Sequence, residues 1–324
     1  MNYNTYIIAE IGINHEGSFS LCKEMVYAAK KAGVNAVKLQ TIDPHKCYAS
    51  NTESFKLFSK ASLSKLETKK IFTLAKNLEL DIFTTVGDIE TADWVKNLKP
   101  SAWKISSSLI THIPLIDHLA GFEEPLYLST GLVNDKEIKD VIKVLKKKKK
   151  NNYSLLHCVS KYPTKPEEAH LARIQYLKNK YKVNIGYSDH TIGRLASCIA
   201  VSNGAVIIEK HFTNNNKKKG YDHKISLDYK GMKTLVDSIK ETELMLNKKS
   251  DFLNIIKENR MKFLRVIVAS EIIKKGEKFT KKNLSAKRVL NNTNAISPYF
   301  LKKIIGKTSL SNYSIDQAIK NKEM

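Results

Sequence analysis

Eight short apolar runs alternate with longer amphipathic stretches over the first 247 residues. The runs cover 6–11, 35–40, 81–85, 102–106, 125–129, 153–158, 183–187 and 205–210. Runs of Val, Ile and Leu too short for a helix read as buried strands. Between them the apolar spacing changes to three and four. Cys22, Met25, Val26 and Ala29 share one face of a predicted helix over 18–32, and Met232, Leu235, Val236 and Ile239 share one over 229–247. Further helices are expected at 64–78, 89–98, 113–120, 135–148, 167–179 and 195–203, and a long loop at 43–61. Eight strands each followed by a helix within about 240 residues predict an α/β chain folded as a closed (β/α)₈ TIM barrel. No Gly-x-Gly-x-x-Gly follows the first strand, which argues against a dinucleotide fold.

After residue 247 the pattern changes. Residues 248–260 are polar and charged and read as a linker. Residues 261–324 carry two strand-like segments, 263–269 and 284–289, and read as a small, mostly β module. The domains expected are therefore 1–247, a linker at 248–260, and 261–324.

Charge qualifies this picture less than its size suggests. The net charge is +23, but only five of the 55 basic residues are Arg. Arg is the residue suited to bidentate phosphate and base contacts. The lysines spread over helix faces, and the run Lys146 to Lys150 ends a helix, where cations suit the dipole. Nucleic acid is not the expected partner; a general attraction for anionic substrates is. No apolar run is long enough to cross a bilayer, so no membrane association is expected. Cys22, Cys47, Cys158 and Cys198 show no CxxC spacing and read as reduced thiols. No basic n-region or cleavage site precedes the first strand. A cytoplasmic protein is expected.

The site of such a barrel is built at the C-terminal ends of its strands. Polar residues crowd all eight ends: Glu10; Lys38 and Gln40; Thr84 and Thr85; Lys104 and Ser106 to Ser108; Ser129 and Thr130; His157, Ser160 and Tyr162; Ser188, Asp189 and His190; Glu209, Lys210 and His211. Lys38 and Lys104 sit inside apolar strands. A lysine there needs an anionic partner or loses its charge. Salt bridges with Glu10 or Glu209 would serve; so would a phosphate or carboxylate ligand held also by the neighbouring hydroxyls. His190 and His211, each placed just past a strand end, suit either a divalent metal or a structural or acid–base role. Asp222 suits a sugar hydroxyl, a base, or an ordinary turn.

The segments IIAEIGINHEGS (7–18), VKLQT (37–41), LSTG (128–131), LLHCVSKYPT (155–164), IGYSDHT (185–191), EKHFT (209–213) and GYDHKISLD (220–228) resemble, in order and spacing, the sialic acid synthase family. The chain's end, with IKKGEKFT (273–280), NLSAKR (283–288) and IIGK (304–307), resembles that family's antifreeze-like (SAF) domain. The resemblance implies a transferase that condenses phosphoenolpyruvate with an N-acetylhexosamine, typically N-acetylmannosamine, to give a nine-carbon 2-keto sugar acid and phosphate. It implies phosphoenolpyruvate binding by Lys38, Thr85, Lys104, Ser107, Ser129, Ser160 and Ser188. It implies Mn²⁺ or Mg²⁺ on His190 and His211, and the hexosamine at Glu10, Gln40, Tyr162 and Asp222. It also implies a domain-swapped homodimer in which Arg288 of one subunit enters the other's barrel. A 6-phosphorylated acceptor, a 6-deoxy diacetamido acceptor leading to legionaminic or pseudaminic acid, and a non-catalytic sugar-binding relative are the alternatives. Three departures stand out. Thr84-Thr85-Val86-Gly87 replaces the family's usual Ser-Thr-Pro-Phe. Leu109 stands where the family has an acid suspected of carrying a proton. Val289-Leu290 replaces the Pro-Gly after Arg288.

Overall fold

Eight parallel strands pair in sequence order and close on themselves: β1 (Tyr6–Gly12), β2 (Ala36–Thr41), β3 (Asp81–Val86), β4 (Trp103–Ile105), β5 (Leu126–Ser129), β6 (Tyr153–Cys158), β7 (Asn184–Asp189) and β8 (Ile207–His211). β1 pairs with both β2 and β8, so the ladder has no free edge. This computed structural model describes residues 5–246, 252–290 and 294–324. The chain divides into two compact units, 1–247 and 248–324.

The strands form where the apolar runs predict them, with shifted ends. The expected 183–187 and 205–210 become Asn184–Asp189 and Ile207–His211. His211 is therefore the last residue of β8, opposite Glu10 of β1, instead of lying beyond the strand. The expected loop at 43–61 contains two short helices, Pro44–Cys47 and Glu53–Ala61. Thr52 caps the second by accepting from the Phe55 amide, and Phe58 and Ala61 bury against Ile13 and Ile42. The helix expected over 167–179 is Ala172–Tyr181, preceded by a 3₁₀ turn at Pro166–Glu168.

Side chains alternate across each strand. Ile8, Ala36, Phe83, Ala102, Leu156 and Ile207 meet in one apolar layer inside the barrel, with Tyr127 against it. Two residues further along the same strands lie Glu10, Lys38, Thr85, Lys104, Cys158, Glu209 and Ser129. The pleat thus carries seven side chains from the apolar plug to the open end together. Gly186 of β7 leaves room in that plug: a Cβ there would stand 2.8 Å from the Cβ of Ile207.

The opposite parity faces the helices. Lys210 and Asp189 are fully buried outside the barrel and pair at 3.1 Å. Asp189 also accepts from the Thr191 amide, the Thr191 hydroxyl and Ser197 on the helix Leu195–Ser202, while Lys210 donates to the Thr191 carbonyl. These contacts tie the end of β7 to that of β8.

In the second unit β9 (Val266–Ala269) and β10 (Leu284–Lys287) form an antiparallel pair over a core that includes Ile267, Phe279, Ile304 and Tyr313. The segment expected as a linker is helical from Phe252 to Phe263; its residues 248–251 lie outside the described residues. Among the described residues no helix is long and apolar enough to cross a membrane.

Replacing Lys210 with Ala leaves Asp189 buried without its cation. The unfolding free energy should fall by about 3–5 kcal/mol, as measured by urea denaturation at pH 7. A loss under about 1 kcal/mol, the range of an exposed pair, would show that the contact does not hold the two strands together.

Candidate active site

Six of the seven inward side chains, all but Thr85, line a cavity of about 260 Å³ at the C-terminal end of the barrel, together with residues of the loops after the strands. At its floor lie four buried charges. Lys38 contacts Glu10 at 2.9 Å and Glu209 at 3.6 Å; Lys104 lies 3.6 Å from Glu209. The salt bridges that were one of the two readings of the strand lysines are therefore formed. Each lysine also reaches a hydroxyl, Lys38 donating to Thr85 at 3.2 Å and Lys104 to Ser129 at 2.8 Å. Ser188 donates to Glu209 at 2.9 Å, and the Gln40 amide donates to Glu10 at 3.0 Å.

Burial acts on all four charges, and the partners decide the outcome. Burial pushes Glu10 up, the nearby charge of Glu209 adds to this, and Lys38 only partly opposes it, so its carboxyl is held well above the ordinary range. Burial acts the same way on Glu209, but Lys104 and Lys38 outweigh it and hold that carboxyl low. Lys38 is raised because Glu10 and Glu209 overcome its desolvation; Lys104 is lowered because desolvation wins. Two carboxyls in one cavity thus have opposite tendencies, the usual basis for dividing acid from ionised roles.

Above this floor stand the two histidines, ring centroids 5.5 Å apart. Tyr162 stacks on His190 at 4.2 Å and meets His211 edge-on at 5.9 Å. His190 Nδ1 lies 2.7 Å from the Val159 carbonyl, which can only accept, so Nδ1 carries the proton and Nε2, 3.4 Å from the Ser188 hydroxyl, is left unprotonated. His211 Nδ1 is buried without a hydrogen bond, with the Asp222 carboxylate at 3.5 Å. An unprotonated ring nitrogen beside an unsatisfied one suits a divalent cation. No group of three or more His, Cys, Asp or Glu forms a metal cage among the described residues.

Eleven of the expected site residues line this cavity: Glu10, Lys38, Gln40, Lys104, Ser107, Ser129, Ser160, Tyr162, Ser188, His190 and His211. Thr85 joins through Lys38, and Asp222 through His211. Arg288 lies exposed in the second unit, its guanidinium 5.2 Å from the Phe263 ring centre. Four other polar strand ends face elsewhere. Asp189 and Lys210 pair outside the barrel, Thr84 bonds to Thr41, and His157 bonds to the Ala169 carbonyl beside a separate depression of about 940 Å³. Leu109 packs against the barrel core.

Sequence reasoning placed Asn14 just beyond the end of the first strand and passed over Cys158. Cys158 lines the cavity, its Sγ 2.9 Å from the Ser107 hydroxyl, and its place two residues after the interior Leu156 was the available signal. Asn14 is buried and brackets the loop after β8. It donates to the Phe212 carbonyl and Ser226, and accepts from the Asp222 amide.

Residues 25–251 match the family model described as the NeuB family. The chain belongs to the NeuB family. Residues 265–323 match the SAF domain. This NeuB-family chain is 33% identical to the N,N'-diacetyllegionaminic acid synthase of Campylobacter jejuni, over 98% of this chain and 99% of that protein. It is 33% identical to the pseudaminic acid synthase of Helicobacter pylori, over 93% and 92%. Its fold matches the crystal structure of N-acetylneuraminic acid (sialic acid) synthetase from Leptospira borgpetersenii in complex with citrate. The TM-score is 0.76 at 33% identity, covering 80% of this chain and 92% of that one.

Burial lowers His190 to about 4, with the charge of His211 contributing, and lowers His211 to about 3, against an ordinary 6.5. Both rings are neutral in the folded chain at pH 7, and the unfolded chain takes up their protons first as pH falls. Their contribution to stability is complete above about pH 6.5 and is lost as pH falls through 4 and 3. Urea unfolding followed from pH 7 down to 4 should show that decline. A double variant, His190→Gln with His211→Gln, should flatten it; an unchanged slope would mean the rings titrate freely.

Proposed function

We propose that this NeuB-family protein condenses phosphoenolpyruvate with the open-chain aldehyde of an N-acetylmannosamine-type sugar, releasing phosphate and a nine-carbon 2-keto sugar acid. One observation carries the reading. Two buried lysines, a belt of hydroxyls and a histidine pair share a single cavity sized for a small, multiply charged molecule. The names of the N,N'-diacetyllegionaminic acid synthase, the pseudaminic acid synthase and the sialic acid synthetase that this chain resembles support it.

Lys38 and Lys104, with Thr85, Ser107, Ser129, Ser160 and Ser188, hold the phosphate and carboxylate of phosphoenolpyruvate. Gln40, Tyr162 and Asp222 hold the sugar. His190 and His211 would hold a divalent cation, Mn²⁺ or Mg²⁺, which when bound would supply Lewis acidity for the aldehyde. The alkene electron pair forms the bond from C3 of phosphoenolpyruvate to the aldehyde carbon, leaving positive charge at C2. The aldehyde oxygen takes a proton and becomes a hydroxyl. Glu10, whose carboxyl is held above its ordinary range, supplies that proton; Leu109 provides no acid. Glu209 stays ionised between the lysines and faces the charge at C2. Water adds at C2 and returns a proton to Glu10; the bond from C2 to the bridging oxygen then breaks, phosphate departs with that oxygen and the remaining hydroxyl proton, and C2 becomes the ketone.

The working enzyme is a homodimer in which the exposed Arg288 of each subunit completes the other's site. Its place in the SAF-matching segment supports this.

The test is phosphate release from phosphoenolpyruvate with a panel of N-acetylmannosamine, its 6-phosphate and 6-deoxy diacetamido hexoses, with Mn²⁺ or Mg²⁺ present. Label in the bridging oxygen should appear in phosphate; label left in the sugar acid would refute C–O cleavage. No release with any acceptor would end the proposal. Glu10→Gln should lower kcat about 10²–10⁴-fold, the usual range for a general acid. A change under about threefold, well below that range, would remove Glu10 from the proton's path.

A further inference from the structure

A second cavity, of about 390 Å³, adjoins the catalytic one and is lined by Lys217, Lys218, Lys219 and Lys224 with Tyr162 and Asp222. Tyr162 belongs to both walls, and Asp222 stands 3.5 Å from His211. We infer that this cavity is an anion subsite, and that it selects an acceptor sugar bearing a phosphate monoester at the end remote from its aldehyde. The inference rests on the proposed condensation.

Unpaired charge is its basis. Lys218 is already committed: it contacts Glu16 at 2.7 Å, and Glu16 also meets His223 at 3.1 Å. That contact fixes the loop to the residues after β1. Lys217, Lys219 and Lys224 form no ion pair among the described residues. Asp222 is the only acid on the cavity wall, and it faces His211. Lysines are plentiful in this chain, but on the helices they spread over solvated faces. Here four fall within 216–224 and surround one concavity. Gly220 and Tyr221 have positive φ, 84° and 45°, and this turn lets residues before and after it flank the same space.

The ligand class follows from the charges. Three ammonium groups in one concavity repel each other, and a neutral sugar hydroxyl leaves them unpaired. A phosphate monoester brings close to two negative charges and three acceptor oxygens, one for each free lysine. The route follows from the shared wall. A sugar whose aldehyde lies at the histidine pair runs past Asp222 and Tyr162, and its far end emerges among the lysines.

The full-length protein is assayed with phosphoenolpyruvate and either N-acetylmannosamine or N-acetylmannosamine 6-phosphate. The wild type is compared with the triple variant Lys217→Gln, Lys219→Gln, Lys224→Gln. The expected wild-type kcat/KM is at least about tenfold higher for the phosphorylated sugar. The triple variant should erase that preference, and added salt should shrink it. Equal use of both sugars, or a preference the variant retains, overturns the inference and leaves the condensation standing. If neither sugar releases phosphate, the condensation rests on the 6-deoxy diacetamido hexoses, and calorimetry with N-acetylmannosamine 6-phosphate still decides the subsite. Tighter binding by the wild type than by the triple variant supports it, and equal binding overturns it.

Discussion

Everything at the open end of this barrel depends on four charges that water cannot reach. Lys38, Lys104, Glu10 and Glu209 are all nearly inaccessible, and each is tolerable only because the others are there. Desolvating one such ion costs several kcal/mol, and losing one partner leaves that cost uncompensated. Such a cluster is a poor way to stabilise a barrel, since apolar residues of the same volume would do as well. Its arrangement is better explained by what it makes available. With Glu10 drawn toward its neutral form, Lys38 is freed to meet an incoming anion, while Glu209 keeps Lys104 in place.

The cluster is assembled by strand parity, and this explains how far the sequence could be read. Apolar runs and three-to-four spacing were enough for the eight strands and the flanking helices, because each element buries one continuous face. The lysines were conspicuous for the same reason, as charges inside apolar runs. What the runs do not announce is which way a polar strand end points. Asp189, Lys210 and Thr84 looked equivalent to Ser188, Glu209 and Thr85, and His157 was read in place of Cys158, yet Asp189, Lys210, Thr84 and His157 lie on the other side of the sheet. Counting in twos from Ile8, Phe83, Leu156 and Ile207 separates the two sets without coordinates. The helices at Glu53–Ala61 and Phe252–Phe263 were hidden for another reason. Polar and charged residues together make up at least half of each, so composition suggested a loop and a linker.

The outward set has its own part in the site. His190 directly follows β7 and His211 ends β8, and their spacing is only as firm as the register between those strands. Lys210 and Asp189 sit one residue back on the opposite face and bind the two strand ends to each other and to the helix that follows. Burying that pair moves the cost of rigidity out of the cavity, where ligand and protons must exchange, into a place that excludes both.

Tyr162 then divides the mouth of the barrel into two electrostatic environments. On the inner side its ring stacks against His190, above a floor where each cation is answered by a carboxylate. On the outer side the lysines of the loop after β8 have one acid among them, and it is turned to His211. Asn14, buried under that loop, sets where Asp222 stands between the two. A balanced interior suits bond making, where charge must shift between groups. An unbalanced exterior suits recognition, where a fixed surplus needs only an opposite charge to fill it. A substrate long enough to reach both would be oriented by its far end before its aldehyde met the histidines, which is why the loop's charges bear on specificity although none of them touches the reacting carbon.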